Sequence, residues 1–166
     1  MMVRREEPRD FDAVRIVNER AFGQTDEARI VNALRGLAGA ISLVAVQGDQ
    51  VVGHILFTAV SIDDAGPSLS ATGLAPMAVL PECQRRGIGS TLVNAGLDAC
   101  RAAGHDLVVV LGHPAFYRKF GFVTAADHGL SCEYPAPREA FMVIELRPGS
   151  LAGARGLVRY RPEFGV

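Results

Sequence analysis

Apolar positions recur along this chain with two alternating periods. After a short opening strand at Val3 to Arg5, Val14, Val17 and Ala21 share a helical stripe. Asp10 is its expected N-cap and Gly23 its end. A second helix, capped by Thr25 or Asp26, carries Ile30, Val31 and Leu34 and stops at Gly36 and Gly39. The period then changes. Ile41 to Val46 is an apolar run of strand length, Gly48-Asp49 is a turn, and Gln50 to Ile62 alternates as a second strand. In that strand Val51, Gly53, Ile55 and Phe57 share one face, and Val52, His54, Leu56 and Thr58 the other. Asp63 to Ser68 reads as a polar loop. Ser70 to Val79 is a third strand, and Pro76 inside it implies a bulge or an edge, because proline cannot donate to a ladder.

A helix opening at Ile88 places Ile88, Leu92, Ala95 or Gly96, and Ala99 on its inner stripe and closes at Gly104. Leu107 to Leu111 is the most continuous apolar run. A β-branched strand of that kind suits burial on both faces, and strand-helix-strand from Leu74 to Leu111 suits a parallel pair. Pro114 and Gly121 bracket a short helix, Phe141 to Leu146 is a strand, and Gly156 to Tyr160 adds an edge strand. The order predicts an α+β domain around a mixed sheet, with residues 1–166 as a single domain.

Composition narrows the class. Charges nearly cancel, with 17 basic and 18 acidic residues, so no strong field favours nucleic acid or an anionic membrane, and neither is expected as a partner. No apolar run approaches a membrane span, and the N-terminus lacks a signal-peptide core. Cys83, Cys100 and Cys132 are odd in number and widely spaced. No disulfide framework or metal site is expected, and a reducing cytoplasm is the default location. Cys83 reads as a bystander thiol rather than a reactive one.

The chemistry concentrates in Met77-Ala78-Val79-Leu80-Pro81-Glu82-Cys83-Gln84-Arg85-Arg86-Gly87-Ile88-Gly89-Ser90, a strand, a turn and the start of a helix. A helix's first turn presents N–H groups without intrahelical partners, at the positive end of the macrodipole. Gly87 and Gly89 remove the Cβ atoms that would keep a ligand off those groups. Arg85 and Arg86 oppose the dipole, a local conflict that an anion resolves. GxxxxGK[ST] is absent, and the third glycine of the dinucleotide fingerprint is replaced by Leu92. Gln84-x-x-Gly87-x-Gly89 after an apolar strand closely resembles the pyrophosphate motif of the GNAT superfamily, the acetyl-CoA-dependent N-acetyltransferases. Phe116-Tyr117-Arg118-Lys119-Phe120-Gly121-Phe122 is similar to the same family's tyrosine four residues before Gly-Phe. Together with the element order, the resemblance covers the chain from end to end.

That resemblance implies a mostly antiparallel mixed sheet, flanked by helices, whose central parallel pair splays to admit acetyl-CoA. The pantetheine arm is expected against the backbone of Met77 and Val79, and the pyrophosphate against Gln84, Arg85, Arg86, Gly87, Ile88, Gly89 and Ser90. Tyr117 is placed at the thioester sulfur. Attack of an amine there expels a thiolate, which a hydroxyl can protonate or stabilise, and a phenol near pKa 10 suits a thiol of about 8.5. The asparagine often found seven residues before this tyrosine is Val110 here, so coenzyme contacts in that segment depart from the pattern. His113 is a second catalytic candidate, or a capping or solvated residue. Glu27 and His54 are candidates for the base, with His54 otherwise a core histidine, and Glu82 is expected to cap or face solvent. The acceptor is read as an amine of a small molecule or peptide. The same fold admits a longer acyl-CoA donor or a non-catalytic acyl-CoA-binding module, and the tail near Tyr160 could cover a sheet edge or join a second copy as a homodimer.

Overall fold

A computed structural model describes residues 1–165, and in it the alternating and helical patterns form nine strands and four α-helices among the described residues. The chain divides into two compact units, Met1–Phe57 with Ala75–Gly96, and Thr58–Leu74 with Leu97–Val166. The two longest strands, β3 (Gln50–Ala65) and β4 (Ala71–Val79), each contribute one half to each unit.

In the first unit, β1 (Met2–Arg5) pairs antiparallel with β2 (Ile41–Gln47), which closes a hairpin onto β3 at Gln47↔Gln50. The connecting Gly48 has a positive φ of 62°, which suits glycine at this turn. Helices α1 (Phe11–Phe22) and α2 (Asp26–Leu34) bury Val14, Val17, Ala28, Val31 and Leu34. On the odd face of β3, a Cβ at Gly53 would lie 2.9 Å from Leu92 Cδ1 and 3.2 Å from Ile88 Cγ2. The missing side chain lets α3 (Ile88–Ala102) lie flat on the strand. Gly96 of α3 likewise leaves room for Phe57, whose ring carbons would be 2.4 Å from an added Cβ.

His54, on the even face, is fully buried. Ser42 Oγ donates to Glu6 Oε1 at 2.8 Å, so it accepts from His54 Nε2 at 2.8 Å. Asn18 Nδ2 donates to Val14 O and lies 3.3 Å from His54 Nδ1. Arg35 grips Glu6 through Nε at 3.1 Å and Nη2 at 2.9 Å. This donor order assigns His54 the neutral Nε2–H tautomer. The network ties both helices to β2, β3 and the end of β1.

In the second unit, β4 pairs in parallel with β5 (Leu107–Leu111) from Ala71↔Leu107 to Leu74↔Val110. β8 (Phe141–Glu145) follows antiparallel on β5, with β6 (Val123–Thr124) beyond it. The end of β3 pairs with β9 (Ala154–Arg159), which carries β7 (Leu130–Cys132) in parallel. Asp106 anchors the entry to β5, accepting from Ser70 N at 2.9 Å and Arg147 Nε at 2.7 Å.

Several expectations change. Asp10 does not cap α1 through its side chain, because its carboxylate is bound bidentately by Arg4 and by Glu7 N. β3 continues to Ala65 through the expected loop, since β9 offers it a ladder partner and Arg159 pairs with Asp63. Pro76, preceded by a cis peptide bond, lies on β4, an interior strand between β3 and β5, so any edge there is local to the stretch beyond Leu74. The parallel register with β5 ends before it, so the β4–β5 ladder has no need of its missing N–H. β6 and β7 are two and three residues long, too short to show a period.

Candidate active site

In the first unit, β4 ends at Val79, and a single 3₁₀ turn, Pro81–Cys83, redirects the chain. Leu80 N donates to Val52 O at 2.9 Å and Cys83 N to Leu80 O at 2.8 Å, while the Cys83 side chain is buried. Gln84 folds its amide back, with Nε2 donating to Val79 O at 3.0 Å. Met77 is half-buried and Val79 is buried.

Beyond the turn, Gln84, Arg85, Arg86 and Gly87 are all exposed. Arg85 has a φ of 63° and Gly87 one of 82°. A left-handed arginine is an uncommon strain, and such residues next to right-handed or extended ones turn successive N–H groups toward one concavity. An added Cβ at Gly87 would meet nothing within 4 Å, so glycine is needed here for its φ rather than for space. α3 then begins, with Thr91 N and Oγ1 both bonded to Gly87 O at 3.0 Å. Ile88 is buried as the helix anchor, and Gly89 and Ser90 are half-buried in the first turn. No acidic residue sits in that turn. The tip of α3 is therefore flanked by two arginines that carry no ion pair among the described residues.

Glu82 does not face solvent alone. Arg20, in the last turn of α1, meets both its oxygens, Nη1 to Oε1 at 2.7 Å and Nη2 to Oε2 at 2.8 Å. The guanidinium holds the Glu82 carboxyl below its ordinary range. A cavity of ≈ 610 Å³ in this unit, lined by Arg20, Leu80, Ile16, Val17 and the β2–β3 turn among others, contains none of the predicted site residues.

In the second unit, α4 (Pro114–Tyr117) starts directly after β5. Tyr117 is buried with 8% of its surface exposed, edge-on to Phe116 at 4.9 Å and to Phe122 at 5.7 Å. A Cβ at Gly112 would lie 2.6 Å from Tyr117 Cε2, so glycine is required where the ring crosses the chain. Burial pushes the phenol up to about 12. His113 is exposed, and its carbonyl accepts from Phe116 N and Tyr117 N, both at 3.1 Å. Its side chain makes no cap hydrogen bond. Lys119, the chain's sole lysine, lies over the rings of Phe116 at 4.4 Å and Phe120 at 5.4 Å.

The domain family described as acetyltransferase (GNAT) matches residues 2–125. The chain belongs to the GNAT acetyltransferase family. The N-acetyltransferase YhbS of Escherichia coli K12 is 37% identical over 167 residues, covering 99% of this chain and 98% of YhbS. A solved YhbS structure from E. coli in complex with CoA aligns with a TM-score of 0.92 at 36% identity, covering 99% of this chain and 92% of the other. A GNAT acetyltransferase from Brucella melitensis in complex with acetyl-CoA aligns at 0.78 and 36% identity, covering 98% and 97%. The α+β fold with one parallel pair in the main sheet is that of the family, and GNAT enzymes are acetyl-CoA-dependent N-acetyltransferases.

Of the base candidates, His54 is a core residue. Desolvation first, and the Arg35 charge second, lower its pKa to about 3. With no exposed surface it cannot reach a substrate. Glu27 is half-buried on α2 and accepts from Gln24 Nε2 at 3.1 and 3.2 Å. Sequence reading missed Arg20, Asn18, Ser42 and Arg35, each of which has a partner 29 to 62 residues away. The polar His54 in an apolar alternation was the one signal for the buried network. Among the described residues no cluster could hold a metal ion, and no helix is long and apolar enough to cross a membrane.

Proposed function

We propose that this chain, acting as one domain, moves the acetyl group of acetyl-CoA to an amine of a small molecule or peptide by direct attack. The amine nitrogen bonds to the thioester carbon, the carbon–sulfur bond breaks, and the coenzyme leaves as a thiolate. The proton lost by the amine passes to water or a base.

The observation that carries the reading is the strained turn at Arg85 and Gly87 leading into the tip of α3. Strain of that kind is retained where surrounding structure and a ligand repay it. Backbone N–H groups from Gln84 to Ser90, with the Arg85 and Arg86 guanidiniums, suit a diphosphate. The coenzymes in the YhbS and Brucella complexes support the same ligand class. Met77 and Val79 would pair with the pantetheine arm.

Tyr117 is proposed to serve the departing sulfur. Its ring is held on two sides by aromatic edges and on a third by Gly112, an orientation that lowers the entropy cost of aiming the hydroxyl. His113, exposed four residues earlier, is proposed as a second catalytic residue that polarises the thioester or takes the amine proton through water.

Calorimetry with coenzyme A tests the donor site. Saturable binding that weakens in Arg85→Ala and Arg86→Ala supports the cradle, and no heat with the wild type sinks it. A panel of amines with acetyl-CoA then separates enzyme from binding module, because the module predicts binding without coenzyme release.

A further inference from the structure

The geometry points to Arg20 as a positioning residue for the donor cradle, acting through Glu82. The inference rests on the reading of residues 84–90 as a diphosphate site. Glu82 precedes Gln84 by two residues and sits in the turn that delivers the chain to the cradle. A bare carboxylate there would repel the diphosphate. Arg20 cancels that charge and, by binding both oxygens in one plane, fixes the direction of the side chain.

The turn is otherwise held from its inner side. Leu80 N bonds to β3, Gln84 Nε2 bonds to Val79 O, and Cys83 is buried. The outer side is held by Arg20, reaching from the last turn of α1, 62 residues away in sequence. Its location there is favourable in itself, since a cation suits a helix C-terminus.

The pair is half exposed, with side-chain exposures of 48% and 51%. Exposed pairs add little to folding stability. The pair's consequence therefore falls on the charge and the aim of the adjoining loop, and a ligand's affinity reports it where a melting temperature does not. Arg20 acts on the diphosphate only through Glu82, so it positions and does not catalyse.

The test is calorimetric titration of the full chain with coenzyme A at low salt and again at high salt, with thermal melts alongside. Arg20→Gln is expected to weaken binding roughly threefold to fivefold at low salt, with an unchanged melting temperature. Arg20→Lys, which keeps the charge and loses the two-oxygen grip, should fall between Arg20→Gln and the wild type. Adding Glu82→Gln to Arg20→Gln should recover affinity, because the exposed carboxylate is then gone. The differences should shrink at high salt, as they do for exposed charges. Wild-type affinity in Arg20→Gln overturns the proposal, as does a double variant no better than the single one. A loss of affinity that tracks a falling melting temperature overturns it in favour of a structural role. No heat with the wild type overturns the donor reading, and this proposal with it.

Discussion

The acidity of Tyr117 gives the sharpest test of how the thiolate is handled. Burial lifts the phenol from 10 to about 12, a penalty on the phenolate of about 2.7 kcal/mol. Full proton transfer to a thiolate of pKa about 8.5 is then uphill by about 5 kcal/mol. In the proposed reaction Tyr117 would therefore act as a hydrogen-bond donor to the developing charge, with the proton itself arriving from solvent. A hydrogen bond to a charged group contributes about 1.5–3 kcal/mol, so Tyr117→Phe should lower kcat roughly 10- to 100-fold. The informative quantity is the ratio of wild-type to variant rate, because titration of the acceptor amine cancels in it. Coenzyme A formed should be measured by chromatography, since the half-buried thiol of Cys132 would compete for thiol reagents. The ratio should stay constant from about pH 7 to about pH 11. A ratio that halves near pH 10 would show an unshifted phenol, and a ratio of one at neutral pH would remove Tyr117 from the reaction. The same shift has a stability signature. Because the folded pKa is the higher, the contribution is fully present below about pH 10 and is lost as pH rises through about 12.

Two further perturbations test the scaffold. His54 is held neutral down to about pH 3, while an unfolded histidine takes up its proton near 6.5, so stability falls as pH drops from about 6.5 toward 3, by up to about 5 kcal/mol. Urea melts at pH 7, 5 and 4 check this, and an acid dependence that survives unchanged in His54→Gln would refute the assignment. Gly96→Ala would place a Cβ 2.4 Å from the Phe57 ring and should destabilise by about 1–3 kcal/mol. An unchanged thermal midpoint would show that α3 lies off the strand.

Much of this chain was legible because its signals are local. The helical stripes of α1 and α2, the turn at Gly48-Asp49, the β-branched run of β5 and the Pro-to-Gly bracket around Tyr117 all lie within one element's length. The proposed cradle is local in the same way, since strand, turn and helix tip are consecutive in the chain. Residues 84–90 could be named before any strand had a partner.

Pairings across long separations were not legible. β3 runs on to Ala65 because β9 lies beside it, and Pro76 is tolerated in β4 because the ladder with β5 ends at Leu74. The role of Gly96 depends on where the Phe57 ring lands, and Glu82 has its charge matched by a residue of a different helix. His54 was marked by its type but explained only by Ser42, Asn18, Glu6 and Arg35. Periodicity and spacing encode what a segment will be, because backbone geometry repeats over a few residues. Which polar atom meets which, and how far that moves a pKa, depends on desolvation and distance in space. Those quantities exist only once the segments have packed.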